Sequence, residues 1–190
     1  MEIMKLMEWC RTYRRFDQKR EIPDSVLENI MEAARLSSSA SNKQGLRFLV
    51  VRSKEKVEKI FPFTHWAGMF PKGVGQPKDG EHPVLFIVPT YPEETKWMML
   101  DLGIAETRMA LAAAAEGVGS AILANIEHEA IQKALGIPET EKIATIMAFG
   151  YPTHASRIVP VKDGSIKYYL DENNDYCVPK RSKEELFRTV

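Results

Sequence analysis

Arg11 and Arg14 stand three residues apart, with Arg15 beside them and the Thr12 hydroxyl between them, in the run Arg11-Thr12-Tyr13-Arg14-Arg15. Two guanidinium forks and an O–H donor at that spacing can surround one phosphate or carboxylate. On charge pattern alone, a solvated basic turn is the better reading. A second group is Ser38-Ser39-Ala40-Ser41-Asn42-Lys43-Gln44-Gly45, between an amphipathic stretch and an apolar one. Its hydroxyls, amides and backbone N–H groups suit a polar ligand that carries carbonyls and hydroxyls, and they also suit an ordinary helix end. In the third group, Val178-Pro179-Lys180-Arg181-Ser182, the cations can close an anion site or simply decorate the surface.

Other chemistries lack their residues. Gly73 to Gly80 has neither the spacing nor the following helix of a P-loop or a dinucleotide fingerprint. His65, His82, His128 and His154 are scattered, with no pair at metal-ligand spacing, so no metal site is expected. A GxSxG elbow is absent, and Cys10 and Cys177 stand without a CxxC or a local nucleophile motif.

The elements that must position these groups follow from periodicity. Ile3 to Trp9 has helical character. A helix begins at Ile22-Pro23-Asp24 and carries Val26, Leu27, Ile30, Met31 and Ala34 at helical spacing. Arg47 to Arg52 and Val84 to Val88 read as strands, the second buried on both faces, with a loop region between them. Phe61 to Gly80, rich in Pro, Gly and aromatics, reads as a binding or lid segment, with His65, Trp66, Phe70 and Tyr91 as candidates for shaping a pocket or for packing. A long helix is predicted from about Glu93 to Glu116, then a strand Ser120 to Asn125, a helix Glu127 to Leu135 closed by Gly136, and a strand Ile143 to Phe149. After Pro152, turn signals at Asp163-Gly164 and Glu172 to Asp175 with aromatic flanks suggest a hairpin in a tail too polar to fold alone. This is an α+β order with a mixed sheet in a single domain, 1–190.

With 190 residues, 44% of them apolar, the chain can build one full core. Lys plus Arg and Asp plus Glu balance at 26 each, which argues against a nucleic-acid-tracking or lipid-tracking field. The longest apolar segment, Trp97 to Ala115, contains Asp101, Glu106 and Arg108, so it reads as a buried helix and no membrane span is expected. Glu2, Lys5 and Glu8 argue against a secretory h-region, and two isolated cysteines fit a reducing cytoplasm.

In this order, the motifs resemble the nitroreductase family. Arg11-Thr12-Tyr13-Arg14 is similar to its opening RRSxR-type box, with Thr12 for the usual Ser, and Ile22 to Leu36 to the helix that follows. Ser39-Ala40-Ser41-Asn42-Lys43-Gln44 is similar to its SAxNxQ loop, and Asp101 to Gly119 to its central helix. Gly150-Tyr151-Pro152 matches GYP, and Pro179-Lys180-Arg181 with Glu184-Glu185-Leu186 resembles its basic C-terminal end. One departure is Gly45-Leu46 after Gln44, where the family usually has Pro-Trp.

The resemblance implies a mostly antiparallel sheet flanked by helices. It also implies an FMN-binding homodimer with exchanged segments, including a C-terminal arm from about 153 on the partner. By that resemblance Arg11 and Thr12 bind the phosphate with Arg181 and Lys180, and Arg14 lies nearer the pyrimidine edge of the flavin. Ser39, Ala40, Ser41, Asn42 and Gln44 meet ribityl or ring atoms, partly from the other subunit, while Ile122 and Leu123 present backbone beside the ring. The implied activity takes reducing equivalents from NADH or NADPH to a small electrophile, a nitroaromatic or quinone, by a ping-pong course. Solvent can supply the protons, so no side-chain acid is required and no catalytic residue is assigned. Rival readings are a flavin-storage protein and a relative specialised for dehalogenation, ene reduction or flavin breakdown.

Overall fold

Strands β1 (Arg47–Val51), β2 (Leu85–Tyr91), β5 (Ile146–Gly150) and β3 (Gly119–Leu123) lie in that order in one antiparallel sheet, with β4 (Lys142–Ile143) pairing β2 beyond β5. The structure, a computed structural model, describes residues 2–190. All seven residues of β2 are buried, and alternation explains how. Leu85 and Ile87 face one core cluster together with Met147 and Phe149, whereas Phe86 and Val88 face the other with Ile146 and Ala148. A strand covered on both faces reads as an unbroken apolar run, and each large aliphatic side chain buried this way contributes roughly 1.5–3 kcal/mol.

The first face is covered by α2 (Asp24–Arg35) and α4 (Met98–Ala115) through Val26, Leu27, Ile30, Met109 and Ala113. On the second face are α3 (Lys54–Ile60), α5 (His128–Leu135) and the aromatic residues Tyr13 and Phe16. The helix α1 (Ile3–Trp9) precedes them. Glycines admit those two rings. A Cβ on Gly119 would lie 2.8 Å from the Tyr13 ring, and one on Gly150 would lie 2.8 Å from Phe16. The Tyr13 amide donates to the Ser120 carbonyl at 2.9 Å, and Thr12 and Phe16 form β-bridges to Ser120 and Pro152. Tyr13 and Phe16 are thus driven inward, which holds the basic run over the sheet edge at β3.

Several sequence expectations change. The loop region after β1 contains α3, capped by the Ser53 hydroxyl, which accepts from the Lys56 amide. The long helix begins at Met98 rather than Glu93 and ends where Gly117 turns left-handed. The strand expected over Ile143 to Phe149 is interrupted at Ala144 and Thr145, where the Thr145 hydroxyl donates to the Glu106 carboxylate at 2.5 Å.

The tail forms a three-stranded sheet, in which β7 (Tyr169–Leu170) and β8 (Tyr176–Lys180) make the hairpin and β6 (Ser156–Pro160) pairs β8 in parallel. This sheet packs on its own chain through Tyr176, which is fully buried. What extends outward is the end after β8: α6 (Lys183–Leu186), with Leu186, and then Phe187 and Val190, all exposed.

Candidate functional site

The basic run opens onto a groove of about 390 Å³ lined by Met7, Cys10, Arg11, Thr12, Ser120 and Ile122, with Thr107, Ala110 and Leu111 of α4 as its floor. Arg11 Nε is buried there without a hydrogen-bond partner. A guanidinium nitrogen taken out of water with no acceptor is costly, and an anion in the groove would supply one. Ile122 is exposed into the groove, whereas Leu123 turns into the core and offers only backbone.

The field around the run is positive. Burial pushes the Tyr13 phenol up to about 12 and also raises the Cys10 thiol, and Arg11 opposes both rises. His154, between the rings of Tyr13 and Tyr176, is pushed down to about 4 by burial first and by Arg15 and Arg14. Its two ring nitrogens are buried without partners.

The polar loop lies elsewhere. Ser39 and Gln44 line an apolar cavity of about 310 Å³ walled by Met31, Phe48, Ile87, Ala105 and Met109. Ala40 lines a smaller hollow beside Tyr91 and Trp97, and Ser41 and Asn42 are exposed. Ser41, Asn42 and Gln44 all have left-handed backbones, with φ of 53°, 53° and 48°. At about 100° per residue, the α4 residues under the loop (Asp101, Ala105, Met109) lie on the side opposite those under the groove (Thr107, Ala110, Leu111). In one chain the two halves of the predicted site therefore do not meet.

Three predicted cations also stand apart from the groove. The Arg14 guanidinium lies 4.9 Å from the centre of the Tyr168 ring and 4.7 Å from that of Tyr176. Lys180 ends β8 opposite Pro160, and Arg181 pairs with Glu185 at 3.1 Å. Of the aromatic candidates, Trp66 is a core residue whose indole donates to Thr64 at 2.8 Å, and Phe70 packs on Tyr168 and Tyr176. His65 pairs with Glu127, which leaves Tyr91 as the one of the four lining a cavity near the loop.

Sequence reasoning missed Ser120 and Thr107 in the groove, and Asp101, whose carboxylate accepts from the Ala40 amide at 2.9 Å. The available signal for Asp101 was an acidic residue interrupting an otherwise apolar helix.

The sequence model of the nitroreductase family matches residues 7–151, spanning the groove, the loop and α4. The chain belongs to the nitroreductase family. An Archaeoglobus fulgidus protein named for NADH dehydrogenase/NAD(P)H nitroreductase activity is 31% identical over 155 residues, covering 80% of this chain and 86% of the relative. A Methanothermobacter thermautotrophicus protein of the same name is 29% identical, covering 80% of this chain and 78% of the relative. Among solved structures, a Desulfovibrio desulfuricans nitroreductase in complex with FMN superposes with a TM-score of 0.72 at 19% identity, covering 100% of this chain and 97% of that one. An FMN-dependent nitroreductase from Clostridium difficile gives 0.68 at 23%, covering 84% and 92%. These two establish the shared nitroreductase fold.

Proposed function

We propose that this chain is an FMN-dependent oxidoreductase that draws on NADH or NADPH, works as a two-fold dimer, and holds each flavin between the groove of one copy and the Ser39–Gln44 loop of the other. The observation that carries the reading is the buried Arg11 Nε without an acceptor, beside the Thr12 hydroxyl, at the position of the family's phosphate-binding box. Arg11 supplies charge-assisted contacts to the phosphate and Thr12 a hydroxyl donor. Arg14, held by two tyrosine rings, adds positive potential beside the box, and Ile122 covers the ring edge. Bound there, FMN supplies reversible two-electron chemistry, passing reducing equivalents from the nicotinamide to a small electrophile such as a nitroaromatic or quinone in successive half-reactions.

The exposed surface of α4 supports the dimer. Met99 and Leu100 are 59% and 55% exposed, and they continue through Gly103 and Ile104 to the Thr107 edge of the groove. Met7 of α1, also exposed, lines the groove together with Thr107. A contiguous apolar face of this kind is an association site. Two copies pairing α4 in antiparallel across a two-fold axis would set the N-terminal end of one α4, where the loop is tied, level with the C-terminal half of the other, which lines the groove. The exposed Leu186, Phe187 and Val190 are the part of the C-terminal arm left to reach the partner, where Lys180 and Arg181 would join the phosphate. Among the described residues no helix is long and apolar enough to cross a membrane, and two unpaired cysteines suit a reducing compartment.

The test is the visible spectrum of the purified protein, reconstituted with FMN and then mixed anaerobically with NADH or NADPH. Flavin bands that bleach, in a protein whose Arg11→Leu variant binds FMN at least tenfold more weakly, support the reading. Bands that persist favour a storage role, and a protein that takes up no FMN rejects a flavin function. Undiminished affinity in Arg11→Leu removes the phosphate assignment.

A further inference from the structure

We propose that Asp101 is a positioning residue for flavin binding, holding the Ser39–Gln44 loop in its strained form; this rests on the flavin reading above. Ser41, Asn42 and Gln44 each sit at positive φ without being glycine. Such a conformation costs free energy at each residue and persists only when the surroundings impose it. Local contacts supply part of the restraint. The Ser39 hydroxyl accepts from the Gln44 amide at 3.0 Å, and Arg47 donates to the carbonyls of Gln44 and Leu46 at 2.9 and 2.8 Å. Those contacts fold the loop on itself and on the start of β1. They do not fix it relative to α4.

Leu46, just past the loop, packs against the cluster of Tyr91, Met98 and Leu102, and the loop itself is hydrogen-bonded to α4 by Asp101, which lies 61 residues along the chain and accepts from the Ala40 amide at 2.9 Å. The Asp101 residue is only 9% exposed, so the bond is little weakened by competing water. It also stands in the first turn of an 18-residue helix, where the helix dipole favours a negative charge. A carboxylate accepting from a backbone N–H is among the stronger hydrogen bonds. The next two residues toward the N-terminus of α4, Met99 and Leu100, belong to the apolar face proposed to meet the partner. Asp101 therefore ties the loop to the same helical turn that would set the distance to the second copy.

Three variants of the full chain test this. Asp101→Ala removes the acceptor, Asp101→Asn keeps an oxygen at the same place, and Ala40→Pro removes the donor while leaving α4 untouched. The Ser39 backbone, with φ −136° and ψ 155°, already suits a residue preceding proline. Two readouts are taken: amide hydrogen exchange over 39–45 without added FMN, and FMN affinity by fluorescence quenching. Asp101→Ala and Ala40→Pro are each expected to speed exchange in the loop and to weaken FMN about tenfold, equivalent to about 1.4 kcal/mol. The double variant should be no worse than either single one, and Asp101→Asn should stay within about threefold of the native protein.

Native exchange and affinity in Asp101→Ala overturn the proposal. So does an Asp101→Asn protein as impaired as Asp101→Ala, or additive losses in the double variant. Should Asp101→Ala fail to fold, Ala40→Pro and Asp101→Asn still decide. A native protein that binds no FMN instead refutes the flavin reading, and the exchange experiment then judges the tie by itself.

Discussion

Glu106 is the side chain whose protonation should leave the clearest mark on stability. It is 3% exposed, on the face of α4 toward β5, and burial pushes its carboxyl up to about 7 from an ordinary 4.5, with the Thr145 hydroxyl opposing the rise. Between those two values the folded chain keeps a proton that the unfolded chain has released. The stability contributed by the neutral carboxyl is therefore complete below about pH 4.5, is lost as pH rises to about 7, and changes no further above it. At about 1.4 kcal/mol per unit, the shift sets a ceiling of roughly 3 kcal/mol. Glu106→Gln abolishes the titration and leaves an amide N–H₂ to be accommodated, a pH-independent cost of about 1–3 kcal/mol. The informative quantity is the difference between variant and native stability across pH, because every other carboxylate cancels in it. Urea unfolding at fixed protein concentration and at pH 5, 6, 7 and 8 should show this difference moving in favour of Gln by up to about 3 kcal/mol, then levelling. For a domain of this size that corresponds to roughly 6–12 °C in Tm. A difference that stays constant from pH 5 to 8 would refute the reasoning.

His154 works in the opposite direction. Its pKa is held down to about 4, so the native state loses stability as pH falls from about 6.5 through 4, and His154→Phe should flatten that limb in acid-unfolding curves. Gly150→Ala brings a Cβ to within 2.8 Å of fully buried Phe16 and should cost about 1–3 kcal/mol in chemical denaturation. Leu100→Glu places a charge on the exposed face of α4. It should shift the protein to monomer by sedimentation and weaken FMN binding, while the fold judged by circular dichroism is retained.

Much of the fold was legible because burial left periodic traces. Val26, Leu27, Ile30 and Ala34 sit at helical spacing because one side of α2 is buried, and β2 is continuously apolar because both of its faces are covered. Helix α3 left a weaker trace, since in seven residues only Val57 and Ile60 are buried. The parallel pairing of β6 with β8 joins residues far apart in the chain, and no local pattern encodes such a choice. At the site, Arg11 and Thr12 were visible as chemistry, and the structure puts both in the groove. Arg14 has the same charge but a different environment, because Tyr168 and Tyr176 approach it only through the tertiary fold. Asp101 looked like an interruption in an apolar helix until its partner, a backbone amide, could be seen.

The surroundings of the basic run come from the far end of the chain. Thr12 bridges Ser120, Phe16 bridges Pro152, Arg15 donates to the carbonyl of Asn174, and Arg14 rests on Tyr168 and Tyr176. During synthesis, at about 5–20 residues per second, Arg14 is added to the chain about 8–30 seconds before Tyr176. The sheet strands β1 and β2 can pair in that interval, and Thr12 and Phe16 can reach Ser120 and Pro152, but Arg14 still lacks the Tyr176 ring. A nascent chain stopped before Tyr176 would keep most of its core residues and still lack one of the two rings that hold Arg14.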